Sequence, residues 1–204
     1  MSSFPTVKGP RSVTLRSYSP TIISRTHSGR TLAQSVNAQR WMIDVEWPPL
    51  TRAQAHEILA FLAALGGQFG VFTFVPPNTK TPRGVGQAAI AGANIVVHET
   101  AAAGASIFWI KGWNNSVTNV LRKGDLIKLA GHAKAYMVTA DLSSNGSGFS
   151  QIQITPPLMV AAAADEVVAV HDVPISCRLT ADNPGVSADV AMFYGLTLSM
   201  EETW

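Results

Sequence analysis

The sequence predicts a mainly β protein with one flanking helix, a long polar hairpin and a small β unit inserted into a larger, discontinuous domain. Three observations carry this. Clean alternation of apolar and polar residues occurs at 40–47 and again over 189–200. One helical stripe occupies 51–65, and between the two alternating regions residues 88–170 hold short strand candidates separated by turn signals.

The first strand is the most regular. Trp41, Ile43, Val45 and Trp47 fall on one face, and Arg40, Met42, Asp44 and Glu46 on the other, the pattern of a half-buried strand. Pro48-Pro49 ends it, because proline cannot donate to a ladder. The same punctuation follows "FTFV" at Pro76-Pro77 and "IQIT" at Pro156-Pro157. Upstream, residues 1–12 read as an extended, proline-containing arm. "TIISRTHSGRTLAQSV" reads as a hairpin turning near Gly29; both of its faces are too polar to fill a core, which makes it a candidate for pairing between subunits.

The helix begins at Thr51, with Gln54 at capping-box spacing. Ala55, Ile58, Leu59, Leu62 and Leu65 form its apolar stripe, and Gly66-Gly67 stops it. After "QFGVFTFVPPN" the polar stretch 78–87 reads as a linker. Strand candidates then fall at 89–98, 106–111, 125–129, 135–140, 149–154 and 166–170, implying a small barrel or sandwich. "TAAAGAS" and "VAAAADE" fit loops or short helices equally. The chain ends on two strands: one with Ile175, Cys177 and Leu179 on a face, the other with Val190, Met192, Tyr194, Leu196, Leu198 and Met200, joined by the loop "ADNPGVSA". These are expected to pair with each other and with 40–47. The expected boundaries are therefore 1–85 with 171–204 for the larger domain and 86–170 for the insert.

Composition narrows the function. A chain of 204 residues, 47% hydrophobic, can bury one or two cores. Only 14% of residues are charged, which points to surface covered by partners or filled by small polar groups. The first 41 residues carry Lys8, Arg11, Arg16, Arg25, Arg30 and Arg40 and no carboxylate. An arm meeting an acidic surface would look like this, but spaced arginines without interleaved aromatics are a poor nucleic-acid footprint. The single cysteine, Cys177, excludes an intramolecular disulfide. It lies on an apolar face and reads as a buried structural thiol. The N-terminus lacks a signal-peptide core, and no apolar run reaches membrane-spanning length, so a protein made in the cytoplasm and not inserted in a membrane is expected.

Catalytic and ligand-binding motifs are lacking. His27, His56, His98, His132 and His171 have no metal-ligand spacing. Gly84, Gly86 and Gly92 do not fit a nucleotide fingerprint. Asp125 and His132 could form an acid/base pair, but a strand-turn-strand with solvated ends explains them as well. Asp165-Glu166 and Glu201-Glu202 would point apart on strands. No catalytic residue, cofactor or metal site is assigned. Trp109 and Trp113 could be stacking platforms for a carbohydrate, which would make the insert a host-surface binding module; the plainer reading puts Trp109 in the core and Trp113 as a loop anchor.

"SPTIISRTHSGRTLAQSVNAQRWMIDVEWPPLTRAQAHEILAFLAALGGQFGVFTFVPPN" resembles the N-terminal part of the distal tail proteins of long-tailed bacteriophages: a hairpin ending in QRW, an acidic strand, a PPL helix start and an aromatic strand ending in VPP. "LRKGDLIKLAGHAKAYMVTADLSSNGSGFSQIQITPPL" and "VPISCRLTADNPGVSADVAMFYGLTLSMEETW" are similar to its later regions. The resemblance implies a tail-tube-like β-sandwich with a flanking helix, and an outer domain that is OB-like or galectin-like. It implies a virion protein, assembled in the host cytoplasm, that forms a ring, usually hexameric, at the distal end of the tail. Its partners would be copies of itself, the tail tube protein and a tip or baseplate hub protein, with DNA passing through the lumen unbound. Arg25, His27, Arg30, Gln34, Gln39 and Arg40 are the expected subunit-interface residues, and Asp44 or Glu46 of a neighbour would be acceptors for the arginines.

Overall fold

The computed structural model describes residues 2–5, 7–92, 94–182, 185–188 and 193–204. Val190 and Met192 of the last expected strand, and Asn183-Pro184 of the loop before it, lie outside these. The strands are β1 (Ser2–Ser3), β2 (Ser12–Tyr18), β3 (Thr21–Arg25), β4 (Thr31–Ser35) and β5 (Arg40–Glu46), then helix α1 (Arg52–Leu65) and β6 (Phe72–Phe74). There follow β7 (Ile95–Val97), β8 (Ile107–Lys111), β9 (Leu126–Leu129), β10 (Tyr136–Val138), β11 (Phe149–Thr155) and β12 (Val167–Ala169). The chain closes with β13 (Ile175–Leu179), β14 (Val186–Ala188) and β15 (Tyr194–Glu202). Two compact units result, 1–72 with 177–203 and 73–176 with Trp204.

In the first unit the strands expected to make a sandwich join in one seven-stranded sheet of order β1-β6-β13-β15-β5-β2, with β14 on β15. Strand β5 is paired on both sides, with β15 through Ile43↔Met200 and Val45↔Leu198, and with β2 through Ile43↔Leu15. Ile43 and Val45 are fully buried, and Trp41 and Trp47 nearly so. Strand β2 was not expected from the sequence. Its Val13 and Leu15 alternate, but they are only half-buried on a largely exposed strand, so the signal is faint.

Helix α1 buries Ala55, Ile58, Leu62 and Leu65. Leu59 departs from the expected stripe: it is 40% exposed, at the margin of the apolar face. The Gln54 side chain accepts the Thr51 backbone N–H at 3.1 Å, and Gly66 takes the left-handed conformation that ends the helix. The N-terminal arm is docked rather than free. Phe4 stacks on Trp47 at 5.5 Å and meets Phe61 edge-on at 5.4 Å, while Trp47 Nε1 donates to the Lys8 carbonyl at 3.1 Å.

In the second unit all six expected strands are present, and the barrel-or-sandwich choice falls to a closed barrel of order β10-β11-β8-β7-β12-β9. Every pairing in it is antiparallel. Closure leaves no sheet edge. Phe108, Ile110, Ile127, Leu129, Tyr136, Ile152 and Val168 point inward among the buried core. The two alanine-rich segments are loops that meet in an antiparallel bridge, Ala101 with Ala162.

The stretch expected as a linker is instead bound to the barrel. Val85 and Gly86 donate to the carbonyls of Asn119 and Val120 at 2.9 and 2.8 Å, and the Arg83 N–H donates to the Asp125 carboxylate at 2.8 Å. A Cβ at Gly84 would lie 2.4 Å from the Asn119 carbonyl oxygen, so Gly84 permits close backbone approach. All three proline pairs do end strands, after β5, β6 and β11.

Ile43→Ala should lower unfolding free energy by about 2–5 kcal/mol in urea melts, as for other fully buried large-to-small changes. Gly84→Ala should cost roughly 1–3 kcal/mol because backbone atoms cannot step aside, whereas Gly92→Ala, with open space at its Cβ, should leave the melt unchanged.

Candidate functional site

Two surfaces stand apart from the cores: the hairpin β3-β4 and an aromatic cleft on the outside of the barrel.

The hairpin is a separate two-stranded sheet. Its register runs from Thr21↔Ser35 to Arg25↔Thr31, and residues 26–30 make the turn. Gly29 has φ 81°, open to glycine without strain; across it the Thr26 N–H donates to the Arg30 carbonyl and the Arg30 N–H donates to the Thr26 hydroxyl oxygen. Every residue of both strands is exposed. The expected polar hairpin is therefore there, but it also displays Ile22 at 59%, Ile23 at 63% and Leu32 at 52% exposure. Ile22, Gln34, Ser24 and Leu32 share one face by register, and Ile23 and Ala33 the other. Apolar side chains thus protrude on both sides of a ribbon with two outer edges, which a two-stranded sheet alone stabilises poorly.

Of the six expected interface residues, Arg25, His27, Arg30 and Gln34 lie exposed on this hairpin. Gln39 and Arg40 do not. Gln39 is 7% exposed and donates to the Ser17 hydroxyl at 2.9 Å; Arg40 bonds Glu201 at 3.0 Å. Both are engaged by residues of their own unit, Gln39 just before β5 and Arg40 at its start. The expected acceptors on a neighbour are also engaged within the chain: Asp44 binds Arg16 and the Ser199 hydroxyl, and Glu46 lies 3.6 Å from Arg11. These ion pairs are solvent-exposed and contribute little to stability.

On the barrel, Trp109 and Trp113 exchange their expected roles. Trp113 is 1% exposed and belongs to the core, which rules it out as a platform. Trp109 projects outward from β8 at 36% exposure. It lines a cleft of about 300 Å³ with His98, Glu99, Asn145 and Phe149. The rings of His98 and Phe149 are 4.6 Å apart. At the edge, Lys111 and Asp165 pair at 2.6 Å. Only Trp109 of this group was singled out from the sequence. The outward alternation Ile107, Trp109, Lys111 was the available signal, but nothing local places Phe149 beside it.

Asp125 and His132, weighed from the sequence as an acid/base pair, are each engaged by other groups. The Asp125 carboxylate is buried and accepts the backbone N–H groups of Arg83 and Arg122, both at 2.8 Å. His132 Nδ1 meets the Tyr136 hydroxyl at 2.8 Å. Each is a structural group. Tyr136 OH also accepts the Met159 N–H at 3.2 Å. Cys177 is buried. Glu201 and Glu202 point apart, Glu201 to Arg40 and Arg178, and Glu202 into the sheet, where it accepts the Trp41 N–H at 3.1 Å. Among the described residues, no group of three His, Cys, Asp or Glu side chains could hold a metal, and no helix is long and apolar enough to cross a membrane.

Asp165 is held below the ordinary aspartate value of 3.8, first by its hydrogen bond from Lys111 and then by the Lys111 charge, with His98 adding to it. A depressed carboxylate contributes stability above its unfolded value and loses it as pH falls through the folded one. NMR titration of Asp165 should give a midpoint below 3.8, and Lys111→Met should move it back up toward that value.

Residues 88–173 match the family model described as the B domain of distal tail protein pb9. The matched span contains the whole barrel, β7 to β12. A search of curated proteins gave no match. The barrel is thus similar to a domain of a bacteriophage distal tail protein, and with the flanking segments resembling the same family the match supports a structural role in a phage tail.

Proposed function

We propose that this tail protein closes into a ring at the distal end of the tail, with hairpin β3-β4 as the joining element. The observation behind this is the hairpin itself: ten strand residues, all exposed, with Ile22, Ile23 and Leu32 in water. Full burial of each such side chain is worth about 1.5–3 kcal/mol. Pairing with a neighbour's hairpin would also satisfy the open ladder edges, and a cyclic arrangement repeats the contact without leaving a free end. The ring, hexameric by the resemblance, would join the tail tube to the tip or baseplate hub and leave a channel for DNA. Arg25, His27 and Arg30 sit at or beside the turn, where they are free to meet carboxylates of an adjoining subunit or ring. The role is architectural and needs no catalytic residue. The domain division that goes with it is a ring-forming unit interrupted in sequence by an inserted barrel.

Native mass spectrometry with negative-stain imaging tests the reading. The wild-type chain, alone or with the tail tube protein, should give closed rings. The double variant Ile22→Glu, Ile23→Glu should abolish them while shifting the subunit's own urea melt by less than about 0.5 kcal/mol, as expected of exposed positions. A wild-type chain that stays monomeric and binds no tail component would overturn the proposal.

A further inference from the structure

The outer face of strands β7, β8 and β11 carries residues the barrel does not need. The barrel interior is already filled, and Phe108 and Ile110 supply β8's share of it. By alternation Ile107, Trp109 and Lys111 then face out. Register sets Gln151 directly opposite Trp109 on β11, and Phe149 opposite Lys111. On the other side the His98 N–H donates to the Trp109 carbonyl at 2.8 Å, which brings the end of β7 against the same ring. The result is an indole flanked by His98 and Phe149, with Glu99 and Asn145 on the rim.

The polar groups define what could sit there. Asn145 Oδ1 already accepts the N–H groups of Ser147 and Phe149 at 2.9 and 3.0 Å, so its remaining offer to a ligand is the amide NH₂ donor. Glu99, which has no ion-pair partner among the described residues, offers acceptors. Lys111, two positions along the same strand face as Trp109, is paired with Asp165. An aromatic face beside one donor and one acceptor group, with no spare positive charge, suits a neutral ring that is apolar on its face and hydroxylated at its edge. A volume near 300 Å³ lies at the small end of ligand sites, too small for a protein interface of ordinary size.

We infer that this cleft is a saccharide site: a neutral pyranose unit, as found in surface polysaccharides, stacks on Trp109 while its hydroxyls bond Glu99 and Asn145. The site is independent of ring formation.

Saturation-transfer NMR on the full chain tests it, using the methyl glycosides of glucose, galactose, mannose and N-acetylglucosamine, with the methyl glycoside of sialic acid as the acidic comparison. At least one neutral glycoside should receive saturation, strongest on the ring protons of its apolar face. Trp109→Ala should weaken binding by about tenfold or more, the scale of one lost stacking contact and its hydrogen bonds. Phe69→Ala, at an aromatic that is 93% exposed elsewhere, should change nothing. If Trp109→Ala does not fold, Trp109→Phe should retain weakened binding, and Glu99→Ala, at an exposed position, should lose it. No transfer to any neutral glycoside, undiminished transfer in Trp109→Ala and Glu99→Ala, preference for the acidic sugar, or protection of Trp109 by another tail protein in place of a sugar would each overturn the inference.

Discussion

The double pairing of β5 is the constraint on which the first unit rests. A strand hydrogen-bonded along both edges cannot shift register without moving two neighbours at once, and a slip of one residue would carry Ile43 and Val45 to the wrong face. That register fixes the rest. It sets Leu198 and Met200 beside them on β15, directs Asp44 to Arg16, and leaves Glu202 inside, where it holds the Trp41 N–H. Helix α1 and Phe4 then cover the aromatic cluster formed with Trp47, Phe61 and Phe72.

The protein handles exposed strand edges in two ways. The barrel removes them by closure. The hairpin keeps them, and with them two isoleucines and a leucine that no residue of the same unit covers. An exposed ribbon of this kind is a liability in a solitary molecule, and it is tolerable where another chain supplies the missing strand.

Much of this was legible in the sequence because it rests on local periodicity. The alternation at 41–47, the stripe of α1, the six barrel strands and the proline punctuation each follow from residues close together in the chain. What escaped depended on distant partners. Strand β2 shows only Val13 and Leu15, and its identity comes from β5. The stretch 78–87 has a linker's composition, yet Gly84 packs against the 119–120 backbone. Trp109 and Trp113 differ by four positions and look alike in sequence. Strand β8 ends at Lys111 and Gly112 takes φ 110°, which breaks the alternation and leaves Trp109 outside and Trp113 inside. Gln39 and Arg40 read as part of the hairpin, but the two strands of the hairpin end before them.

The binding of residues 83–86 to the 119–120 segment and to Asp125 has a practical side. The matched family span starts at residue 88, yet the strap that satisfies the Asn119 and Val120 carbonyls and one oxygen of a buried carboxylate lies before it. A barrel excised at 88 would leave those groups to solvent and Asp125 half-bonded. Excised from Pro77, it would keep its own fastening. Modularity here begins about ten residues upstream of where sequence similarity does.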